Sequence, residues 1–132
     1  MLPGTSGTDS APHPLASKQG ETVAAGVFTS NRVVAAPVVW SRTAVGDGVA
    51  RAVVLNSGGA NACTGPEGFA DTHRTAEDTG AALGVDPGDV LVCSTGLIGE
   101  RLPMEALLAG VREAAGRLTD DGGADAATAI MT

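Results

Sequence analysis

An α/β fold is the class that this sequence predicts, and three observations favour it. Short apolar stretches alternate with segments of helical periodicity, as they do where strands and helices are interleaved. Two of the apolar stretches run directly into loops rich in Gly, Ser, Thr and Asn. Because 43% of the 132 residues are hydrophobic and 17% are charged, one globular domain with one core is expected.

The N-terminal third contains a leader and two apolar segments. Residues 1–20 are rich in Ser, Thr, Pro and Gly, so we expect a flexible leader and ordered structure from near Glu21. The run 23–29 ends in a turn-prone Ser-Asn pair and predicts a buried strand. The run 33–45 is interrupted by Pro37, so it fits either a strand followed by a helical turn or one helix that begins at the proline.

A strand and a long helix are predicted between residues 51 and 84. The run 51–55 (RAVVL) predicts a buried strand, and the loop 56–65 follows it. Pro66 is suited to a first helical turn, and Gly84 is suited to the end of that helix. The expected buried face has steps of three and four residues and comprises Phe69, His73, Ala76, Gly80 and Leu83.

The same arrangement then repeats. The run 89–93 (DVLVC) predicts a buried strand, and the loop 94–99 follows it. Pro103 is expected to open a helix, and a last helix is expected over 124–131. The apolar face of the helix after Pro103 comprises Met104, Leu107, Leu108, Val111, Ala115 and Leu118.

Charge and composition exclude several classes of function. A net charge of -7 leaves no basic surface for nucleic acid or for an anionic membrane. No apolar run approaches the length of a membrane span, and the N-terminus lacks the pattern of a signal peptide. Two cysteines do not make a disulfide framework. We therefore expect a soluble, cytoplasmic protein with reduced thiols.

The first glycine-rich loop, NSGGANACTG at residues 56–65, offers backbone N–H groups that can cradle an anion. It lacks the G-x-G-x-x-G spacing of a dinucleotide site and the Gly-Lys-Ser/Thr end of a P-loop. A structural turn and a ligand site both remain open for this loop.

The second loop follows Cys93 in the stretch CSTGLIG. Thr95 offers a hydroxyl and Gly96 an unhindered backbone N–H, and such a pair can stabilise the oxyanion that develops during acyl transfer. A tight turn between strand and helix, in which glycine supplies conformational freedom, also fits these residues.

Other reactive side chains are expected to have structural roles. Ser94 does not fit a nucleophile elbow, because Val92 stands where the G-x-S-x-G pattern needs glycine. Cys93 ends an apolar strand and is expected to be a buried small hydrophobe. His73 is expected to pack on the apolar helix face, and His13 lies in the leader. No cluster with metal-ligand spacing is present, so no metal site is predicted.

Five stretches together resemble one family. They are AAGVFTSN (24–31), AAPVVW (35–40), AVVLNSGGANACTG (52–65), CSTGLIGERLPM (93–104) and AIMT (129–132). In this combination the chain is similar to the ornithine acetyltransferase family, the bifunctional acetyltransferases of arginine biosynthesis, from Thr22 to Thr132.

The resemblance implies that residues 21–132 are the N-terminal part of the alpha chain of such an enzyme. The implied fold is a partial domain of the mixed α+β sandwich type found in ornithine acetyltransferases and DmpA-like proteins. Members cut themselves at an Ala–Thr bond, and the new N-terminal Thr carries an acetyl group from N2-acetylornithine to glutamate. Some members also accept acetyl-CoA as donor. By similarity, Thr95 and Gly96 form the oxyanion hole and Thr132 binds substrate, with no metal and no cofactor.

The resemblance also implies partners and departures. Alpha and beta chains stay together after cleavage, as a heterotetramer of two of each. The family's nucleophilic Thr and a substrate-binding Lys lie in a later segment than Thr132, so this chain alone is expected to be inactive. Residues 1–20 do not match the longer leader of the family. A non-catalytic module that binds an anion or small molecule through residues 56–65, and an inactive fragment, are the alternatives.

Overall fold

The structure is a computed structural model that describes residues 22–131, so the predicted leader and Thr132 lie outside the described residues. Two strands alternate with helices, as the sequence predicts for an α/β fold. The elements are α1 (Ala36–Ala44), β1 (Ala52–Gly59), α2 (Gly65–Leu83), β2 (Val90–Leu97), α3 (Met104–Ala115) and α4 (Gly123–Ala129). Because β1 and β2 are parallel and α2 connects them, both strands end at the same edge of the sheet.

The two strands extend further than the apolar pattern predicts. Their register runs from Ala52 opposite Val90 to Gly59 opposite Leu97. The first residues of both predicted loops, 56–59 and 94–97, are therefore strand. Backbone pairing needs no apolar side chain, so the ladder continues through Gly, Ser and Thr after the hydrophobic signal has ended.

Helix α1 decides the ambiguous segment around Pro37 in favour of one helix that begins at the proline. Pro37 occupies the first turn, where its missing N–H costs no hydrogen bond. Ser41 Oγ donates to the Val92 carbonyl oxygen at 2.8 Å and accepts from the Val92 N–H at 2.9 Å. Trp40 Nε1 donates to the Val90 carbonyl oxygen at 2.9 Å. Side chains of α1 therefore satisfy backbone groups along β2 that β1 does not pair.

The predicted strand over 23–29 is wrong. In the described part of the chain, this segment forms a single antiparallel bridge, between Val23 and Val49. Val23 is 86% exposed and Val27 is 101% exposed, so the run is not buried either. A short apolar run becomes a strand only where a neighbour offers a continuous ladder, and the structure provides one bridge here.

Both ends of α2 fall where the sequence predicts. Pro66 lies in the first turn, and Gly84 ends the helix with a left-handed φ of 69° and a backbone N–H bond to the Gly80 carbonyl oxygen.

The predicted buried face of α2 is confirmed at Ala76 and Gly80 and is wrong at Phe69 and His73. Phe69 is 40% exposed, whereas the buried residues are Gly68, Asp71, Thr72, Thr75, Ala76, Thr79 and Gly80. Thr75 Oγ1 donates to the Asp71 carbonyl oxygen at 2.8 Å, and Thr79 Oγ1 donates to the Thr75 carbonyl oxygen at 2.7 Å. Once these hydroxyls are bonded within the helix, the threonine methyl groups pack like small apolar side chains.

The core lies between the sheet, α1 and α2. Its buried members are Ala52, Ala76, Val90 and Val92, with Trp40, Val54, Leu83 and Val85 packed against them. The predicted face of α3 is confirmed at Leu108 and Val111, which are buried, while Leu118 beyond the helix is 37% exposed. The predicted last helix is confirmed as α4, which ends two residues before the predicted Met131 end.

Candidate functional site

The carboxyl ends of β1 and β2 bring the two glycine-rich segments together. Ser57 lies opposite Thr95, and Gly58 lies opposite Gly96. Beyond the strands, the Ala60 N–H donates to the Leu97 carbonyl oxygen at 2.8 Å. Segments 56–65 and 94–99 therefore form one unit, which we call the strand-end cluster. Sites in open α/β sheets characteristically lie at this edge.

At Gly96, the strand-end cluster has no space for a side chain. The φ of Gly96 is 133°, a conformation that side-chain-bearing residues rarely adopt. A Cβ at this position would collide with the Gly58 carbonyl group and would lie 2.6 Å from the Gly59 nitrogen. The backbone of β2 thus approaches that of β1 so closely that only glycine fits.

Thr95 and Gly96 are both exposed on this edge. A backbone N–H and a neighbouring hydroxyl on a fixed strand are donors that need no reorganisation to meet a developing negative charge. Thr95 and Gly96, the predicted oxyanion hole, therefore lie at the carboxyl end of β2 and are exposed there.

Ser94 has a structural bond in this geometry. Its Oγ donates to Asn56 Oδ1 at 2.6 Å, and Asn56 Nδ2 donates to the Gly59 carbonyl oxygen at 3.2 Å. The serine hydroxyl therefore links β2 to the end of β1. A serine nucleophile would instead need its hydroxyl bonded to a general base.

The chain after α4 returns to the same edge. Ser57 Oγ donates to the Met131 carbonyl oxygen at 3.5 Å, and Ser57 is the register partner of Thr95. Thr132, the predicted substrate-binding residue, follows Met131 but lies outside the described residues.

Asn61 is a residue of the cluster whose role sequence reasoning missed. It is 0% exposed and has a left-handed φ of 49°. Its Nδ2 donates to the Gly68 carbonyl oxygen and to Thr72 Oγ1, both at 2.8 Å, and its Oδ1 accepts from Thr64 Oγ1 at 2.7 Å. The first loop is thereby fixed to the first turns of α2. The available signal was the tolerance of asparagine for left-handed backbone.

Arg101 is a second residue that the sequence did not reveal. Its Nε donates to Asp71 Oδ2 at 2.9 Å and its Nη2 to Asp71 Oδ1 at 2.8 Å. These hydrogen bonds raise the pKa of the Arg101 guanidinium. The Asp71 side chain is 8% exposed, and Arg101 is its ion-pair partner. Nothing local in the sequence marks a pair that lies 30 positions apart.

The predicted burial of Cys93 is wrong, and the predicted packing of His73 is confirmed only in part. Cys93 is exposed, although burial around its thiol still raises the pKa of that thiol. The His73 side chain is 49% exposed. Its ring packs edge-on against Trp40 with 4.8 Å between centroids, and its Nδ1 lies 3.2 Å from Glu77 Oε1.

Over residues 22–131, no group of three or more His, Cys, Asp or Glu side chains is arranged to hold a metal ion. Across the same range, no helix has both the length and the apolarity to cross a membrane.

Comparison with known proteins places this geometry in a family. A family model described as the ArgJ family matches residues 12–132. The chain belongs to the ArgJ family. The resemblance stated from the five sequence stretches is thereby confirmed.

Two relatives in the ArgJ family carry the name arginine biosynthesis bifunctional protein ArgJ. The protein from Streptomyces coelicolor is 64% identical over 109 residues, and the protein from Thermobifida fusca is 63% identical over 109 residues. In both cases the match covers 83% of this chain and 28% of the relative. The chain thus spans little more than a quarter of the length of these ArgJ proteins.

Two solved structures share the fold. The ornithine acetyltransferase of Mycobacterium tuberculosis, solved in complex with ornithine, matches with a TM-score of 0.84 and 56% identity, over 85% of this chain and 62% of that one. The ArgJ protein of Bacillus halodurans matches with a TM-score of 0.69 and 36% identity, over 71% of this chain and 50% of that one. The described elements are therefore arranged as in ArgJ structures.

Proposed function

We propose that this chain supplies the oxyanion-stabilising part of a glutamate N-acetyltransferase of arginine biosynthesis. The observation that carries the proposal is the exposed Thr95–Gly96 pair, fixed at the strand ends by the close approach of Gly96 to Gly58. Membership of the ArgJ family and the relatives' names support the reaction class and the pathway.

The proposed chemistry is a two-step acyl transfer. A threonine hydroxyl from the beta chain attacks the acetyl carbonyl of N2-acetylornithine, and the resulting oxyanion accepts hydrogen bonds from the Gly96 N–H and the Thr95 hydroxyl. Collapse expels ornithine as the amine, which takes up the proton released by the threonine. Glutamate then attacks the acetyl-threonine ester through its amine and regenerates the hydroxyl. Acetyl-CoA is the proposed second donor, with its thiol as leaving group.

Thr132 is the proposed substrate contact. The bond between Ser57 and the Met131 carbonyl oxygen supports this role, because Met131 precedes Thr132 in the sequence and Ser57 is the register partner of Thr95. For the whole enzyme we propose a cytoplasmic assembly of two alpha and two beta chains formed by self-cleavage, with no cofactor.

A non-catalytic anion site in residues 56–65 receives less support. Several polar groups of this loop are bonded within the protein. Thr64 Oγ1 donates to Asn61 Oδ1, both Asn61 Nδ2 bonds go to α2, and the Ala60 N–H is bonded to Leu97. This loop therefore fits a structural role better than a binding role.

The test is Thr95→Ala in a full-length ArgJ chain that carries residues 22–131 of this sequence. Loss of one oxyanion donor is expected to lower kcat by roughly 10²–10³. Thr43→Ala is the matched control, because Thr43 is an exposed threonine whose Oγ1 bonds the Val39 carbonyl oxygen within its own helix. Turnover of folded Thr95→Ala equal to that of Thr43→Ala would contradict the proposal.

The purified 132-residue chain is expected to show no acetyl transfer from N2-acetylornithine to glutamate. The proposed nucleophile lies outside this sequence, so the oxyanion donors have no intermediate to stabilise. Turnover by this chain alone, above a Thr95→Ala version of it, would point to a nucleophile within residues 1–132.

A further inference from the structure

The segment that leaves β2 is attached to the rest of the molecule at three successive alternate residues. The Leu97 carbonyl oxygen accepts from the Ala60 N–H at 2.8 Å, and the Gly99 N–H donates to the Ala62 carbonyl oxygen at 2.8 Å. The third attachment is Arg101. Thr95 and Gly96 lie immediately before this series, so their position depends on where the segment is held.

The attachment at Arg101 is the strongest of the three in its chemistry. Two parallel bonds of 2.9 and 2.8 Å join its Nε and Nη2 to both carboxylate oxygens of Asp71, and Nη1 lies 3.2 Å from Glu67 Oε2. Such a fork fixes orientation as well as distance. The Asp71 side chain is 8% exposed, so loss of the fork leaves a carboxylate that solvent reaches poorly. Lysine keeps the charge but has no planar fork.

Both loops are attached to the first turns of α2 by side-chain bonds. The Gly68 carbonyl oxygen and Thr72 Oγ1 accept from Asn61, which fixes the first loop. Asp71, one residue before Thr72, fixes the second loop through Arg101. A shift of residues 97–101 relative to α2 would therefore move Gly96 relative to Gly58, its register partner in β1.

We propose that Arg101 is a positioning residue for acyl transfer, which sets the Thr95–Gly96 donors through its bidentate ion pair with Asp71. This role rests on the proposed function, because it assigns to Arg101 the alignment of the oxyanion hole. Arg101 itself contacts α2 and does not touch the reacting atoms.

The test uses Arg101→Lys in the full-length ArgJ chain that carries this segment. Misplacement of the donors is expected to lower kcat by roughly 10- to 10²-fold with KM little changed. Amide hydrogen exchange of residues 96–99 is expected to become faster, because the segment loses its third attachment. Arg112→Lys is the matched control, since Arg112 also bridges back to α2, through one exposed contact of 3.2 Å to Asp78. It is expected to leave both readouts unchanged.

A double variant separates positioning from stability. If Arg101 acts through Thr95, Thr95→Ala combined with Arg101→Lys loses little beyond Thr95→Ala alone. Additive losses in kcat, or a lowered Tm with unchanged kcat and exchange, would overturn the proposal. If Arg101→Lys does not fold, Asp71→Asn replaces it in the same cycle, because it removes the charge at nearly constant volume.

Failure of the proposed function gives a different result. If Thr95→Ala leaves kcat unchanged, Thr95 does not stabilise an oxyanion. The proposed effect of Arg101 on catalysis is then also contradicted. Faster exchange of residues 96–99 in Arg101→Lys would then still support the anchoring of the segment, and unchanged exchange would overturn it.

Discussion

The two glycine-rich segments at the strand ends have similar compositions and opposite arrangements. In the first, Asn61 is 0% exposed, and its side chain makes three hydrogen bonds within the protein. In the second, Thr95 and Gly96 are exposed. Richness in Gly, Ser, Thr and Asn therefore indicates a sharp change of chain direction. Burial then decides whether the polar groups stabilise the fold or are available to a ligand.

The first segment also shapes the second. Gly58 has a φ of 108° and faces Gly96 across the sheet without space for a Cβ on Gly96. Asn61 and Cys63 then turn the chain with φ values of 49° and 59° into α2. The first segment thus fixes the backbone against which the second segment packs. Substitutions in the first segment, residues 56–65, should mainly lower the free energy of unfolding, and substitutions at Thr95 should mainly lower kcat.

The largest loss of stability is expected for Gly96→Ala. Left-handed strain of about 1–3 kcal/mol adds to overpacking of about 1–3 kcal/mol, because the new Cβ meets the Gly58 carbonyl group. Gly58→Ala is the matched control, since its φ is 108° but nothing lies within 4 Å of a Cβ there. Urea denaturation should therefore give Gly96→Ala the larger decrease in the free energy of unfolding. Equal decreases would show that strain alone matters and that the close approach is relaxed in solution.

Asn61→Ala is expected to follow, with a decrease of roughly 2–5 kcal/mol in the free energy of unfolding. Loss of the amide removes its hydrogen bonds to Gly68, Thr72 and Thr64, and alanine is disfavoured at a φ of 49°. Asn56→Ala, which removes a half-buried amide in the same segment, should cost about 1 kcal/mol. If the two variants unfold at the same urea concentration, the hydrogen bonds of Asn61 do not fix the first loop.

The smallest effect concerns the two cysteines, one in each region. Cys63 and Cys93 are both exposed, but burial around the Cys93 thiol raises its pKa and so lowers its thiolate fraction near neutral pH. Iodoacetamide at pH 8 should therefore modify Cys93 several-fold more slowly than Cys63, as followed by peptide mass spectrometry. In urea-unfolded chain the two rates should converge, and a Cys93 that reacts faster in the folded protein would contradict this environment.

Helix ends that carry a proline or a glycine were predictable from the sequence. Pro37, Pro66 and Pro103 mark the starts of α1, α2 and α3, because proline is tolerated where a helix has no N–H partner. Gly84 marks the end of α2 for the converse reason, since glycine alone enters the left-handed region freely. These are short-range steric effects, and neighbouring residues suffice to specify them.

Elements that depend on partners were predicted less well. The run 23–29 has the composition of a strand but only one bridging partner at Val49. The buried face of α2 was displaced because Thr72, Thr75 and Thr79 count as polar in a pattern, although their hydroxyls are bonded within the helix. Hydrophobic periodicity reflects the order of apolar and polar residues along the chain, and it does not show which hydrogen bonds the fold will form.

Sequence alone was enough to predict the α/β class, the helix boundaries at proline and glycine and membership of the ArgJ family, and it proposes Thr95 and Gly96 as site residues. The folded arrangement was needed to show that both loops share one edge, that Asn61 is buried, and that Arg101 pairs with a carboxylate 30 positions away. The reason is physical. Steric limits on backbone angles act between neighbours, whereas burial and ion pairing arise only when distant segments exclude water from the same place.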